Sequence, residues 1–169
     1  WACMRQVHGA TVVPATAPGV LGEADAAFTT VPGLPLAVGI ADCYPVVLVA
    51  DGGVGIAHAG WRGVAAEVVG HLRAAMIAVG VAPRRAAIGP GIGPCCFEVG
   101  PEVAVRFPDF VTTTSRGTVG VDLPAALRAQ LVGLTVWESG LCTMSDAGYH
   151  SFRRDGTPER QAGVAWLPT

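Results

Sequence analysis

Lysine is absent: all eleven basic residues of this 169-residue chain are arginines. Without a lysine amine there is no Schiff base to a carbonyl cofactor and no P-loop lysine on a nucleotide phosphate. An anionic substrate must then be held by arginine, whose planar fork suits phosphate. A basic excess is lacking too. The formal net charge is -2, and no platform of aromatics and arginines is evident, so nucleic acid is not an expected partner. Long apolar runs are also missing. Hydrophobic residues make up 51% of the chain, yet Gly, Pro, Asp, Glu or Arg interrupts every run before the ~18 residues of a membrane span. A soluble protein without a membrane partner is expected. The five cysteines (3, 43, 95, 96 and 142) are an odd number without C-x-x-C spacing. That argues against a disulfide framework or a zinc ribbon and favours a reducing, cytoplasmic setting. The chain opens on Trp1 rather than Met, with no basic stretch leading into an apolar run.

A chain of this length fits one domain spanning 1–169, with about 70% of its unfolded surface hidden. Short apolar or alternating segments bounded by Gly, Pro or Asp read as strands over 25–30, 34–40, 45–50 and 54–57. From Arg62 to Val79 the apolar positions Val64, Val68, Leu72, Met76 and Val79 recur at helical spacing, and Gly80 and Pro83 stop the helix. A strand at 86–88 leads into the glycine-rich 89–93. Pro101 opens a helix over 102–107, 112–117 reads as a polar loop, and Asp122 with Pro124 begins a helix running to about Leu131. Strands near 134–137 and 162–167 close the chain. No repeat or linker divides it, and a layered domain of mixed strands and helices is expected.

The histidines are His8, His58, His71 and His150. His71 reads as solvated helix surface. His8 and His58 each have a bland structural reading, but His58 ends an apolar strand just before a Gly-Trp-Arg-Gly turn, where rigid scaffolds present functional groups. Cys43 lies in Ala-Asp-Cys-Tyr-Pro and reads either as a small core residue or as a ligand beside Asp42. Cys95 and Cys96 are adjacent and read as structural, since neighbours reach one ion only with strained backbone. Two imidazoles and a thiolate suit Zn²⁺, and three protein ligands leave a position open for catalysis. The spacing of 35 and then 15 residues forms no compact metal motif. Arg62, Arg153, Arg154 and Arg160 lie in turn-like segments. Each is either solvated surface or an anion ligand, with Arg153-Arg154 before Asp155-Gly156 the most suggestive.

Several segments are specific together: Gln-Val-His-Gly at 6–9, Ala-Asp-Cys at 41–43 and Ala-His-Ala-Gly-Trp-Arg-Gly at 57–63. Ile-Gly-Pro-Cys-Cys-Phe-Glu-Val-Gly at 92–100, Cys142-Thr143, Phe-Arg-Arg-Asp-Gly at 152–156 and Arg-Gln-Ala-Gly at 160–163 follow. In this order, across nearly the whole chain, the set closely resembles the laccase-domain family, the YfiH-like polyphenol oxidoreductases regarded as purine nucleoside phosphorylases with adenosine deaminase activity. The resemblance implies an α+β fold, a layered α/β sandwich with mixed sheets. It also implies a metal site, zinc or alternatively copper, held by His8, Cys43 and His58.

The implied reactions are phosphorolysis of adenosine, inosine, guanosine and methylthioadenosine, and hydrolytic deamination of adenosine, in a monomer or small homo-oligomer. Family members carry a further segment ahead of Gln-Val-His-Gly, with Thr-Arg-x-Gly-Gly and an Asn-containing strand, so the chain is expected to lack the family's N-terminal segment. Arg62 is the first choice for phosphate, with Arg153 and Arg154 next, unless those two pair with carboxylates instead. Asp42 is the candidate proton shuttle, against a plain turn role. Cys43 is assigned to coordination rather than covalent attack. Three alternatives stay open: a copper polyphenol oxidase, an amidohydrolase editing peptidoglycan precursors, and a non-catalytic metal-binding remnant. Four coppers would need about ten imidazole and thiolate ligands, more than four histidines supply.

Overall fold

The computed structural model describes all 169 residues. Strands β1 (Ala2–Arg5), β2 (Val12–Pro14), β3 (Gly19–Glu23), β4 (Ala26–Thr29), β5 (Leu36–Ile40), β6 (Tyr44–Ala50) and β7 (Gly53–Ala59) fill the first third. Helices α1 (Trp61–Ala65) and α2 (Val68–Ala78) lead to β8 (Arg85–Ile88) and α3 (Pro101–Ala104). Then come β9 (Val111–Thr113), β10 (Val119–Val121), α4 (Leu123–Gln130), β11 (Thr135–Glu138), α5 (Phe152–Asp155) and β12 (Gln161–Ala165).

The strands form a six-stranded sheet in the order β11-β8-β6-β7-β4-β2, a four-stranded sheet in the order β12-β5-β1-β3, and the hairpin β9-β10. Both larger sheets are mixed: β6 runs antiparallel to β7 and β8 while β11 runs parallel to β8, and β1 runs parallel to β3 and β5 while β12 runs antiparallel to β5. The result is the layered arrangement of mixed sheets and helices expected from the sequence.

Two apolar clusters hold the layers together. One lies on the helix side of the larger sheet, where Leu72 and Met76 of α2 and Leu127 of α4 meet Val46 and Leu48 of β6. The other lies between the sheets, where Ile56 of β7 meets Leu36 and Val38 of β5. Strand β7 is covered on both faces, which explains why Gly53–Ala59 is buried at every position and reads as a continuous apolar run rather than an alternating one. Gly55 permits the close approach of α2: a Cβ there would sit 2.9 Å from both Leu72 Cδ1 and Met76 Sδ. No helix is long and apolar enough to cross a membrane.

Two expectations are corrected. The helix read over Arg62–Val79 is two helices, because Glu67 adopts a left-handed φ of 56°. The Val64 carbonyl leaves the helical ladder, accepting from Gln130 Nε2 at 2.7 Å and from the Glu67 amide at 3.0 Å. The loop read over 112–117 is instead the end of β9 and the turn into β10, pinned by a 2.7 Å hydrogen bond between the Thr114 and Thr118 hydroxyls.

Candidate metal centre

Three chain segments meet at one end of the sheets. His8 follows β1, Cys43 immediately precedes β6, and His58 is the penultimate residue of β7. Antiparallel pairing sets Tyr44 opposite Ala59 and Pro45 opposite His58, which brings the Cys43 and His58 positions together. The ligating atoms of His8, Cys43 and His58 all lie within 4.8 Å of one another. The two imidazole rings stand 4.8 Å apart, centroid to centroid, with an interplanar angle of 77°.

The residue that organises this corner is Asp25, fully buried just ahead of β4. Its carboxylate accepts from the amides of Val7 at 3.2 Å, His8 at 2.9 Å and Gly9 at 2.6 Å. It also accepts from His58 Nδ1 at 2.8 Å. His8 has a left-handed φ of 60°, a conformation an L residue keeps only when its surroundings impose it. Asp25 imposes it by gathering three consecutive N–H groups. The same carboxylate fixes the His58 tautomer: with Nδ1–H donating to Asp25, the Nε2 lone pair is available to a ligand. Burial lowers the His58 pKa, opposed in part by the hydrogen bond to Asp25, so the imidazole is neutral near pH 7. Sequence reading placed Asp25 only at the start of a strand. The available signal was an acidic residue opening the apolar run Ala-Ala-Phe, where a carboxylate needs strong partners.

Cys43 is pushed up to about 12, first by burial and next by the charge of Asp42, with Arg160 opposing. Because burial and Asp42 outweigh the opposing charge of Arg160, the thiol stays protonated at neutral pH and is a poor nucleophile. Two imidazoles and one thiolate with an open fourth direction, one imidazole backed by a buried carboxylate, fit a borderline metal ion. The donor set and its supporting shell therefore fit a metal, and coordination is what would deprotonate Cys43.

The three donors open onto a cavity of about 630 Å³. Arginines Arg62, Arg153 and Arg160 line it together with the rings of Trp61, Phe97 and Phe152. The guanidinium of Arg62 stacks 4.4 Å from the centroid of a Trp61 ring. Arg153 lies 5.6 Å from the Phe97 ring and donates to the Glu98 carbonyl at 2.8 Å. Arg160 lies 5.6 Å from the Phe152 ring and donates to the carbonyls of Thr157 and Glu159.

Asp42 also lines the cavity, in a left-handed conformation with φ 82°. Its oxygens accept from the Thr143 hydroxyl at 2.8 Å and the Arg153 amide at 2.7 Å, tying α5 to the start of β6.

Arg154 is not on the cavity wall. Its guanidinium donates to the carbonyls of Thr143, Met144, Asp146 and Tyr149 and to the carboxylate of Asp155. These contacts hold the 143–149 segment in place and favour the carboxylate-pairing reading of Arg154. Arg154→Lys, which cannot span four carbonyls with one fork, is expected to lower the melting temperature and speed amide hydrogen exchange over 143–149. Unchanged exchange there would remove this role.

His71 and His150 stand apart from the centre. His71 is exposed on α2, 3.4 Å from the Ala10 carbonyl, and His150 lies 3.6 Å from Glu159.

Comparison with known proteins agrees with this picture. A family model described as "Multi-copper polyphenol oxidoreductase laccase" matches residues 1–168. A Deinococcus radiodurans protein named purine nucleoside phosphorylase is 42% identical over 182 residues, covering 99% of this chain and 70% of that protein. Purine nucleoside phosphorylase ORF3 of Streptomyces griseus is also 42% identical, over 97% of this chain and 73% of its own length. Among solved structures, YlmD from Geobacillus stearothermophilus superposes with a TM-score of 0.91 at 33% identity, covering all of this chain and 74% of that one. Bacillus licheniformis YfiH gives a TM-score of 0.90 at 29% identity, covering 99% of this chain and 74% of that one. With donors, cavity and whole-chain similarity in agreement, the chain belongs to the laccase-like, YfiH-type family of multi-copper polyphenol oxidoreductases, whose relatives carry the name purine nucleoside phosphorylase.

Proposed function

We propose that the chain is a zinc-dependent purine nucleoside phosphorylase that also deaminates adenosine. The observation that carries this reading is one cavity holding the His8, Cys43 and His58 donors, three arginines and three aromatic rings. Phosphorolysis needs an anion held beside the ribose C1′. A phosphate oxygen forms the new bond to C1′ while the C1′–N9 bond breaks and its electron pair leaves with the purine. Arg62 and Arg153 are assigned to the phosphate, and Arg160 adds positive charge to the same wall. The flat faces of Trp61, Phe97 and Phe152 suit a purine ring.

A zinc ion held by His8, Cys43 and His58 would supply Lewis acidity in the cavity. Asp25 keeps His58 in the coordinating tautomer and His8 in its left-handed turn. Asp42, with both oxygens already accepting, is assigned to positioning Arg153 rather than to proton transfer. The same donor set accommodates a copper ion. Of the four histidines, however, only His8 and His58 face the cavity, far short of a multicopper cluster, which favours the nucleoside reading over a polyphenol oxidase.

The test incubates metal-analysed protein with inosine or adenosine, with and without phosphate, and assays free base and ammonia. Phosphate-dependent release of hypoxanthine from inosine is the expected result, with ammonia from adenosine. Base release that ignores phosphate would end the phosphorylase reading, and absence of ammonia would end the deaminase half. Arg62→Ala is expected to raise KM for phosphate by about ten- to a hundredfold, the usual cost of a charge-assisted hydrogen bond. An unchanged KM would move the phosphate to Arg153 and Arg160.

A further inference from the structure

A second cluster of metal-ligating side chains lies away from the first centre and shares no donor with it. The sulfurs of Cys95, Cys96 and Cys142 all lie within 4.8 Å of one another, and the adjacent Cys95 and Cys96 turn their sulfurs to 3.2 Å apart. The sequence expectation that these neighbours could hardly reach one ion is therefore corrected. A turn puts both on one side, because the amides of Cys96 and Phe97 both donate to the Gly93 carbonyl at 3.0 Å.

The third sulfur comes from a segment 46 residues further on. The bridge between Gly91 and Cys142, with the Thr143 amide donating to the Gly91 carbonyl, docks that segment against the turn. The Gly93 amide donates to Cys142 Sγ at 3.2 Å. Cys95 and Cys96 border a depression of about 410 Å³ whose other charged lining residues are Glu98, Arg116, Arg153 and Arg154, so three arginines against one carboxylate leave net positive charge beside the thiols. All three cysteines are free, and Cys95 is exposed, which gives an ion a way in.

We infer that Cys95, Cys96 and Cys142 form a second metal site, an all-sulfur trigonal site for one monovalent copper ion. The donor chemistry decides the class of ion. Three thiolates without an imidazole or carboxylate in the cluster are soft ligands, suited to Cu(I). Structural zinc sites close with four protein ligands, and only three converge here. Occupancy would cross-link the 93–96 turn to the 142–145 segment. Both back the cavity wall, through Phe97 on one side and the Thr143 hydrogen bond to Asp42 on the other.

The test uses the full chain, reduced and anaerobic, carrying Cys43→Ser so that the first centre lacks its thiolate. Cu(I) is titrated against a chromophoric Cu(I) chelator and the coordination shell is read by X-ray absorption. One equivalent with three sulfur neighbours and no nitrogen is the expected result. Losing one partner outside a metal's first shell already weakens affinity by about 10–100-fold, so adding Cys142→Ser should weaken it by at least that. Cys95→Ser, at the exposed position, should do the same, with circular dichroism confirming the fold. Nitrogen in the shell, affinity indifferent to both substitutions, or retention of zinc in preference to Cu(I) would each overturn the inference. None of these outcomes depends on nucleoside turnover, so the inference and the proposed function fail separately.

Discussion

Asp25→Ala is expected to destabilise the protein by about 3–5 kcal/mol, since each buried donor left without an acceptor costs about 1–3 kcal/mol where water does not replace the carboxylate. Four donors converge on this fully buried carboxylate, the amides of residues 7, 8 and 9 and His58 Nδ1. Alanine leaves all four without an acceptor and releases His8 from its left-handed turn. In a domain whose total stability is about 5–15 kcal/mol, the loss is a large fraction.

Asp25→Asn separates shape from charge. His8 N and His58 Nδ1 share one oxygen, Val7 N and Gly9 N the other. Either orientation of the amide therefore turns its NH₂ group against two donors, and asparagine should recover little of the loss. Urea unfolding reads the stability. Metal affinity, expected to fall by about 10–100-fold, reads the lost hold on His58. An unchanged urea midpoint in Asp25→Ala would show that the carboxylate does not organise this corner.

Gly60→Ala is expected to disable the metal centre while largely sparing the fold. Gly60 sits in ordinary extended backbone (φ -77°, ψ 167°), which alanine adopts freely. The added Cβ, however, would lie 2.8 Å from Cys43 Sγ and 3.2 Å from His8 Cδ2. The substitution thus acts on two of the three donors and on little else. Overpacking at a buried position costs about 1–3 kcal/mol. Displacing catalytic groups by about 1 Å costs on the order of a hundredfold in rate. Retained metal and turnover in Gly60→Ala would mean that the donors sit further apart than the geometry indicates.

How much of this was legible in the sequence depended on whether the signal was local. β4 to β7 were readable because short apolar runs were punctuated by Gly, Pro or Asp, and α4 because Asp122 caps it, accepting from the Ala125 amide at 2.9 Å. β1 to β3 were not readable. They are short, and β3 in particular, Gly19–Glu23, is mostly exposed at a sheet edge, with no alternation to mark it. The break between α1 and α2 escaped because it depends on Gln130, which reaches Val64 from another helix.

At the candidate site, residue chemistry and family resemblance proposed His8, Cys43 and His58, and the fold sets their ligating atoms side by side. Asp25 and the third sulfur of the Cys95-Cys96 pair stayed hidden for one shared reason. Their partners are distant in the chain, 33 residues for Asp25 and His58, 46 for Cys96 and Cys142, and only strand pairing and loop docking bring them together. The contacts of Arg154 were not legible because its four carbonyl partners lie in a loop with no pattern of its own.

The central claim is that His8, Cys43 and His58 bind one metal ion on which phosphate-dependent cleavage of purine nucleosides depends. The most direct measurement strips the protein with a chelator, restores one equivalent of zinc, and follows hypoxanthine release from inosine in phosphate. Wild-type protein should lose activity on stripping and recover it with zinc, whereas folded Cys43→Ala should remain inactive at every zinc concentration. Equal hypoxanthine release by stripped protein, or by Cys43→Ala, would contradict the account.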